Sequence, residues 1–130
     1  MKVIALLTDL FGAVGGIQTF NRSLVQSLDE LAVEKNWDVT ALVLNDGTGA
    51  GRGRPDLVLP KTEYIPFNRR KGAFIAATFR QATATSVVIF GHVNFAPMAL
   101  GLRIVRPSLK TILAIYGIDV WSRLPILERE

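Results

Sequence analysis

The chain has no cysteine and only one histidine in 130 residues. A disulfide framework and a cysteine-bearing metal site are therefore excluded, and a histidine-rich metal site lacks its ligands. There is no clean membrane span: the apolar stretch over residues 87–105 is broken by Gly91, His92, Asn94, Pro97, Gly101 and Arg103. A signal peptide is rejected, because Asp9 interrupts the apolar run after Lys2 and the chain flows directly into a helical pattern. A cytoplasmic chain is expected. No RNP motif, zinc finger or basic helix with base-reading residues is present, so no nucleic-acid partner is expected.

What remains is an apolar, modestly basic chain. The hydrophobic share of 49% and mean hydropathy of +0.31 are high for a soluble domain and suit a sheet covered on both faces. The net charge of +4 is compatible with nucleic acid, anionic lipid or phosphorylated ligands and selects none of them. The length allows one domain with a real core.

The chain is organised around the stretch from Asp9 to Phe20. Before it, Lys2 to Thr8 reads as a short buried parallel strand. After it, Ile17, Phe20, Leu24, Leu28 and Leu31 recur at helical spacing, with Asn21, Arg22, Gln26, Asp29 and Glu30 between them. Gly12, Gly15 and Gly16 thus fall where a strand ends and a helix begins, a place whose free amides and helix dipole favour an anion. Glycine there also admits a ligand close to the backbone. The spacing is neither G-x-G-x-x-G nor G-x-x-x-x-G-K-[ST], and a plain tight turn is an equal reading of these glycines.

Further along, Val39 to Leu44 reads as a second strand, which completes a βαβ unit. Asn45 to Pro55 alternates glycines with arginines and reads as a mobile surface loop, since no helix follows to bind phosphate. Leu57 to Leu59 and Tyr64 to Phe67 are short extended pieces; Pro60 and Pro66 make this an edge strand or an irregular segment. A helix then runs through Ala82 with Ile75, Phe79 and Ala82 on one stripe. Arg69, Arg70 and Lys71 open it at the end the dipole disfavours, either as a solvated turn or as a contact for phosphate or lipid head groups. Ser86 to Phe90 is the clearest buried strand. Pro97 suits the first turn of a helix carrying Met98 to Val105, which stops before Pro107. Lys110 to Tyr116 is the last strand. Repeated strand–helix order implies an open, doubly wound α/β sheet of Rossmann-like kind, with ligands at the carboxyl ends of its strands. Gly15 and Gly16, His92, and Tyr116 to Asp119 all fall at such ends. For His92 a structural role is the commoner alternative, and Asp119 reads equally well as a helix N-cap.

Taken in order, the amino-terminal strand, the glycine loop and Gly-Gly-Ile-Gln-Thr-Phe at 15–20 resemble the start of the group 1 family of retaining glycosyltransferases. These enzymes have two Rossmann-like domains, the GT-B architecture. His92, Asn94, Ala96 and Pro97 resemble the segment where the family places a histidine on the acceptor side of its cleft. Residues 116–121 (Tyr-Gly-Ile-Asp-Val-Trp) resemble its HGxDxW segment, with Tyr116 where many members have histidine. A tyrosine can hydrogen-bond a sugar hydroxyl but does not titrate near neutral pH. The resemblance implies that Gly15 and Gly16 lie against the donor diphosphate and that His92, Tyr116 and Asp119 act at the reacting sugar. It implies contacts to acceptor or sugar from Gln18, Asn94 and Gly117. It implies no metal and no cofactor, the nucleotide-diphosphate sugar being a co-substrate. Its partners would be that donor, a glycan or lipid-linked acceptor, and a membrane touched peripherally by basic residues. The family's E-x7-E motif is missing, Glu128 and Glu130 being two apart. Residues 1–130 are therefore expected to be an incomplete acceptor-side domain without its donor-binding domain, inactive alone. Two alternatives stand beside this reading. A nucleotide-binding module is disfavoured by Asn45 at the end of the second strand, where an acidic ribose-binding residue belongs. A non-enzymatic α/β interaction domain is the other.

Overall fold

The computed structural model describes residues 1–11, 16–47 and 59–114. In chain order these form β1 (Lys2–Leu7), α1 (Gly16–Lys35), β2 (Asp38–Val43), β3 (Thr62–Pro66), α2 (Lys71–Ala82) and β4 (Val87–Phe90), followed by a 3-10 turn (Val93–Phe95), α3 (Ala96–Val105) and β5 (Lys110–Leu113). The strands make one all-parallel sheet in the order β3-β2-β1-β4-β5. The expected Rossmann-like α/β fold is what forms. Among the described residues no helix is long and apolar enough to cross a membrane.

Both faces of the sheet are apolar, as the continuous hydrophobic runs of β1 and β2 require. Val3, Ala5 and Leu7 of β1 join Val39, Ala41 and Val43 of β2 beneath Val25, Leu28 and Ala32 of α1. The alternate residues, Ile4, Leu6, Leu42, Val88 and Phe90, meet Phe74 and Ala77 of α2 and Leu102 of α3. This split follows from connection handedness. The step from β1 to β2 moves toward the β3 edge, whereas β3 to β4 and β4 to β5 move back. One right hand for all crossovers places helices of opposite travel on opposite faces. The direction reverses between β1 and β4, and that is where this fold opens a crevice.

The ends of the elements have local causes. Asn36 takes the left-handed conformation (φ 56) just past α1, where asparagine is the best substitute for glycine. Pro97 sits in the first turn of α3, and the helix stops before Pro107, both as expected. β3 is an edge strand, as its proline indicates, though it begins at Thr62, ahead of the expected start.

Two helical phases differ from expectation. In α1 the inward residues are Asn21, Val25, Leu28, Asp29 and Ala32, while Phe20 is exposed and Leu24 and Leu31 are half-buried. Asn21 and Asp29, read as polar-face residues, turn inward because each finds partners there. The Asn21 amide donates to the Asp9 carbonyl (2.8 Å). Asp29 Oδ1 accepts from Lys61 N (2.9 Å) and Thr62 Oγ1 (2.7 Å). In α2 the buried set is Phe74, Ala77, Thr78 and Ala82; Phe79 is half-buried against this core, while Ile75 is exposed and does not share the core stripe expected of it. Phe74 wins the inward position by packing against Phe67 edge-on and against Phe95 face-on, each at 5.4 Å. Thr78 tolerates burial because its hydroxyl donates to the Phe74 carbonyl (2.8 Å). Phe79 turns instead to α3, where Gly101 makes room: a Cβ there would stand 3.2 Å from its ring.

Candidate functional site at the carboxyl edge of the sheet

The segment from Asp9 to Phe11, after β1, is clamped from three directions. Beyond the last strand residues, Leu44 N donates to the Leu7 carbonyl (2.9 Å) and Asn45 N to the Thr8 carbonyl (2.8 Å), so the β1–β2 ladder continues into the loops. Asp46, wholly buried, then turns its carboxylate onto the loop after β1. Its Oδ1 accepts from Leu10 N (3.1 Å) and its Oδ2 from Phe11 N (2.8 Å). From α1, Asn21 holds the Asp9 carbonyl, and Arg22 Nη1 donates to the Leu10 carbonyl (3.0 Å). From β3, the Tyr64 hydroxyl donates to Asp46 Oδ2 at 2.6 Å, while its ring meets that of Phe11 edge-on at 5.2 Å.

A buried carboxylate is costly unless its oxygens are satisfied, and three donors here do so. The same environment acts on the tyrosine. Burial first, then the hydrogen bond and the charge of Asp46, push the Tyr64 hydroxyl far above its usual value. Sequence reasoning took Asn45 onward as a mobile surface loop. The structure corrects this at Asp46, and residues 48–58 lie outside the described residues. An Asp-Gly after a strand reads as a turn, and nothing local announces partners 35 and 36 positions away.

On the other side of the crevice, β4 ends at Gly91, which only glycine can occupy. A Cβ would lie 2.6 Å from Leu7 Cδ2 and 3.0 Å from the Leu6 carbonyl oxygen. Its N–H donates to that same carbonyl at 2.8 Å, so β1 and β4 stay joined to their ends. His92 follows in extended conformation and caps the 3-10 turn: its Nδ1 accepts from Asn94 N (3.1 Å). In the neutral ring that bond puts the proton on Nε2. The histidine therefore has the structural role that sequence reasoning set beside the functional one.

The sheet's parallel order brings Gly16 and His92 to one edge, as expected. Gly16 is the exposed first residue of α1, and no described atom lies within 4 Å of where its Cβ would stand. Gln18, one turn into α1, is half-buried. Gly15, Tyr116, Gly117 and Asp119 lie outside the described residues. Beside this edge, on the α2–α3 face, is a cleft of about 480 Å³. Thr8 and Asn45 from the strand ends, Lys71 from α2 and Asn94 give it polar groups, while Phe74 and Met98 are among its apolar lining. A second cleft of about 410 Å³ lies around the amino ends of β1 and β2, lined by Lys2, Asp38, Lys61 and Glu63, and none of Gly16, Gln18, His92 or Asn94 lines it. Among the described residues no group of three or more histidine, cysteine, aspartate or glutamate side chains could hold a metal ion.

No protein-family model, no curated protein and no solved structure matches this chain. What the chain does is therefore argued from its own residues. The edge offers a glycine at a helix start and a cleft of mixed polarity, a set suited to holding a hydroxyl-rich or anionic ligand. Among the described residues after β2 there is no free acidic ribose anchor: Asp46, the carboxylate nearest the end of that strand, is consumed by the clamp.

Proposed function

We propose that the chain is the acceptor-side, Rossmann-like part of a retaining GT-B glycosyltransferase, which moves a sugar from a nucleotide-diphosphate donor to an acceptor hydroxyl. The observation that carries this reading is Gly16. It is exposed at the start of a 20-residue helix, at the point where the sheet reverses, and no described neighbour needs it to be glycine. The missing side chain is then of use to a ligand, and the amides of Gly15 and Gly16 suit the diphosphate as negative charge builds on the leaving group. His92 acts at the reacting sugar, with Gln18 and Asn94 as further contacts, as the family resemblance implies. Tyr116, Gly117 and Asp119 hold the places that the family resemblance gives them. The cleft with Asn94 and Lys71 at its lining suits an acceptor with polar and apolar parts.

The test is to titrate the 130-residue chain with nucleotide-diphosphate sugars, glycosides and NAD while following backbone amides by NMR. Sugars and sugar nucleotides are expected to shift Gly16, His92 and Asn94. Gly16→Ala should fold as the parent does and lose the shifts, because its Cβ enters open space. Tight NAD binding, or no response to any saccharide, would overturn the reading. So would measurable sugar transfer by this chain alone, since half of such a cleft comes from a second domain.

A further inference from the structure

We propose that the outer surface of α2 and α3 docks on an anionic phospholipid membrane. Two independent features of this surface meet. The first is charge: between Glu63 and Asp119 the chain has no carboxylate at all. The whole α2–α3 layer, with β4 and β5, therefore carries only cations. Arg69, Arg70 and Lys71 are exposed at the start of α2 and Arg80 near its end; Arg103 is exposed on α3. Arg106 is tied down, its guanidinium donating to the Ala82 and Thr85 carbonyls.

The second feature is apolar. On α3 Leu100 is 66% exposed, Ile104 81% and Val105 69%. Leu100 and Ile104 are one turn apart and stand opposite Leu102, which is buried on the sheet, so they form the outer crest of the helix. Gly101 seats α3 against Phe79 of α2, so the cations of both helices flank that crest on one side of the molecule. Aliphatic side chains in solvent beside unopposed arginines match an acidic bilayer surface, whose head groups take the cations while its acyl boundary takes the leucine and isoleucine. Nucleic acid fits less well: on these helices Phe74 is buried and Phe79 half-buried, so no exposed ring is offered for base stacking. The family resemblance also implies peripheral membrane contact through basic residues, but the exposed crest of α3 supports docking on a membrane without the glycosyltransferase reading.

Vesicle flotation tests it, with phosphatidylcholine vesicles compared with vesicles that also contain phosphatidylglycerol. The chain is expected to bind only the acidic vesicles and to be released by salt. Leu100→Ser with Ile104→Ser should cut partitioning about ten-fold or more. Arg80→Gln and Arg103→Gln should each cut it about five-fold. Val33→Ser, an equally exposed change on α1 across the sheet, should leave it unaltered, and circular dichroism melts should confirm that all variants fold. The proposal falls if acidic vesicles are not bound, or if the α3 pair binds them as the parent does. It falls equally if the crest proves to be a dimer interface, or if RNA is bound in place of lipid.

Discussion

Removing the Asp46 carboxylate should cost more stability than any other single polar change at the carboxyl edge. In Asp46→Ala the buried amides of Leu10 and Phe11 lose their acceptor, and so does the Tyr64 hydroxyl. Each orphaned buried donor costs about 1–3 kcal/mol, and the tyrosine, only half-buried, recovers part of its loss from water. The sum is about 3–5 kcal/mol, a large part of the roughly 5–15 kcal/mol that holds a domain together. Asp46→Asn keeps one acceptor but turns an amide toward a backbone N–H, and should lose about 2–3 kcal/mol. Tyr64→Phe keeps the edge-on contact with Phe11 and loses one charge-assisted bond, about 1–2 kcal/mol. The double variant should lose less than the sum of the Asp46→Ala and Tyr64→Phe losses, because they remove one shared bond. Urea unfolding followed by circular dichroism gives the energies, and amide hydrogen exchange gives the location. An Asp46→Ala loss below about 1 kcal/mol, or unchanged protection at Leu10 and Phe11, would refute the clamp.

Alkaline pH probes the same pair. The Tyr64 value is raised in the fold, so its contribution is full below about pH 10, where a free tyrosine titrates, and falls away as pH rises beyond it. Unfolding measured against pH should show a steeper alkaline loss in the parent than in Tyr64→Phe; parallel curves would count against the buried bond. Gly91→Ala should destabilise by about 2–3 kcal/mol, since the methyl meets a backbone carbonyl as well as Leu7; a melt within a degree or two of the parent would contradict the close approach. Arg69 has φ 64 directly after Asn68 at φ 50, so Arg69→Gly should be neutral or stabilising by up to about 1 kcal/mol, and Arg69→Val should lower stability. The reverse order in thermal melts would mean that the turn is not strained.

Much of the architecture was legible because strands buried on both faces write themselves as unbroken apolar runs. Lys2 to Leu7 and Val87 to Phe90 could hardly be anything else. Proline did comparable work, placing β3 at an edge and starting α3 at the right turn. The helical phases of α1 and α2 were not legible in that way. Apolar periodicity cannot know that Asn21 and Asp29 have partners waiting at the sheet, nor that Phe67 and Phe95 will compete for Phe74 over Ile75. The site divides likewise. Gly16 and His92 announce themselves by following strands, whereas Asp46 and Tyr64 matter only through contacts that the folded sheet creates. The apolar crest of α3 was hidden because Leu100 and Ile104 look like core residues until Leu102 and the sheet fix which side is in.

The Asp46 clamp also sets when the loop after β1 takes its shape. Its bonds join residues 35 and 36 positions apart, and Tyr64 reaches it from a third strand. Such closures come only once β1, β2 and β3 have assembled, so Leu10 and Phe11 have no native shape in a partly folded chain. The site is thereby made a late product of folding and not a local motif. Occupancy there should be felt by the domain as a unit, with any ligand that grips this edge raising the melting temperature of the entire sheet.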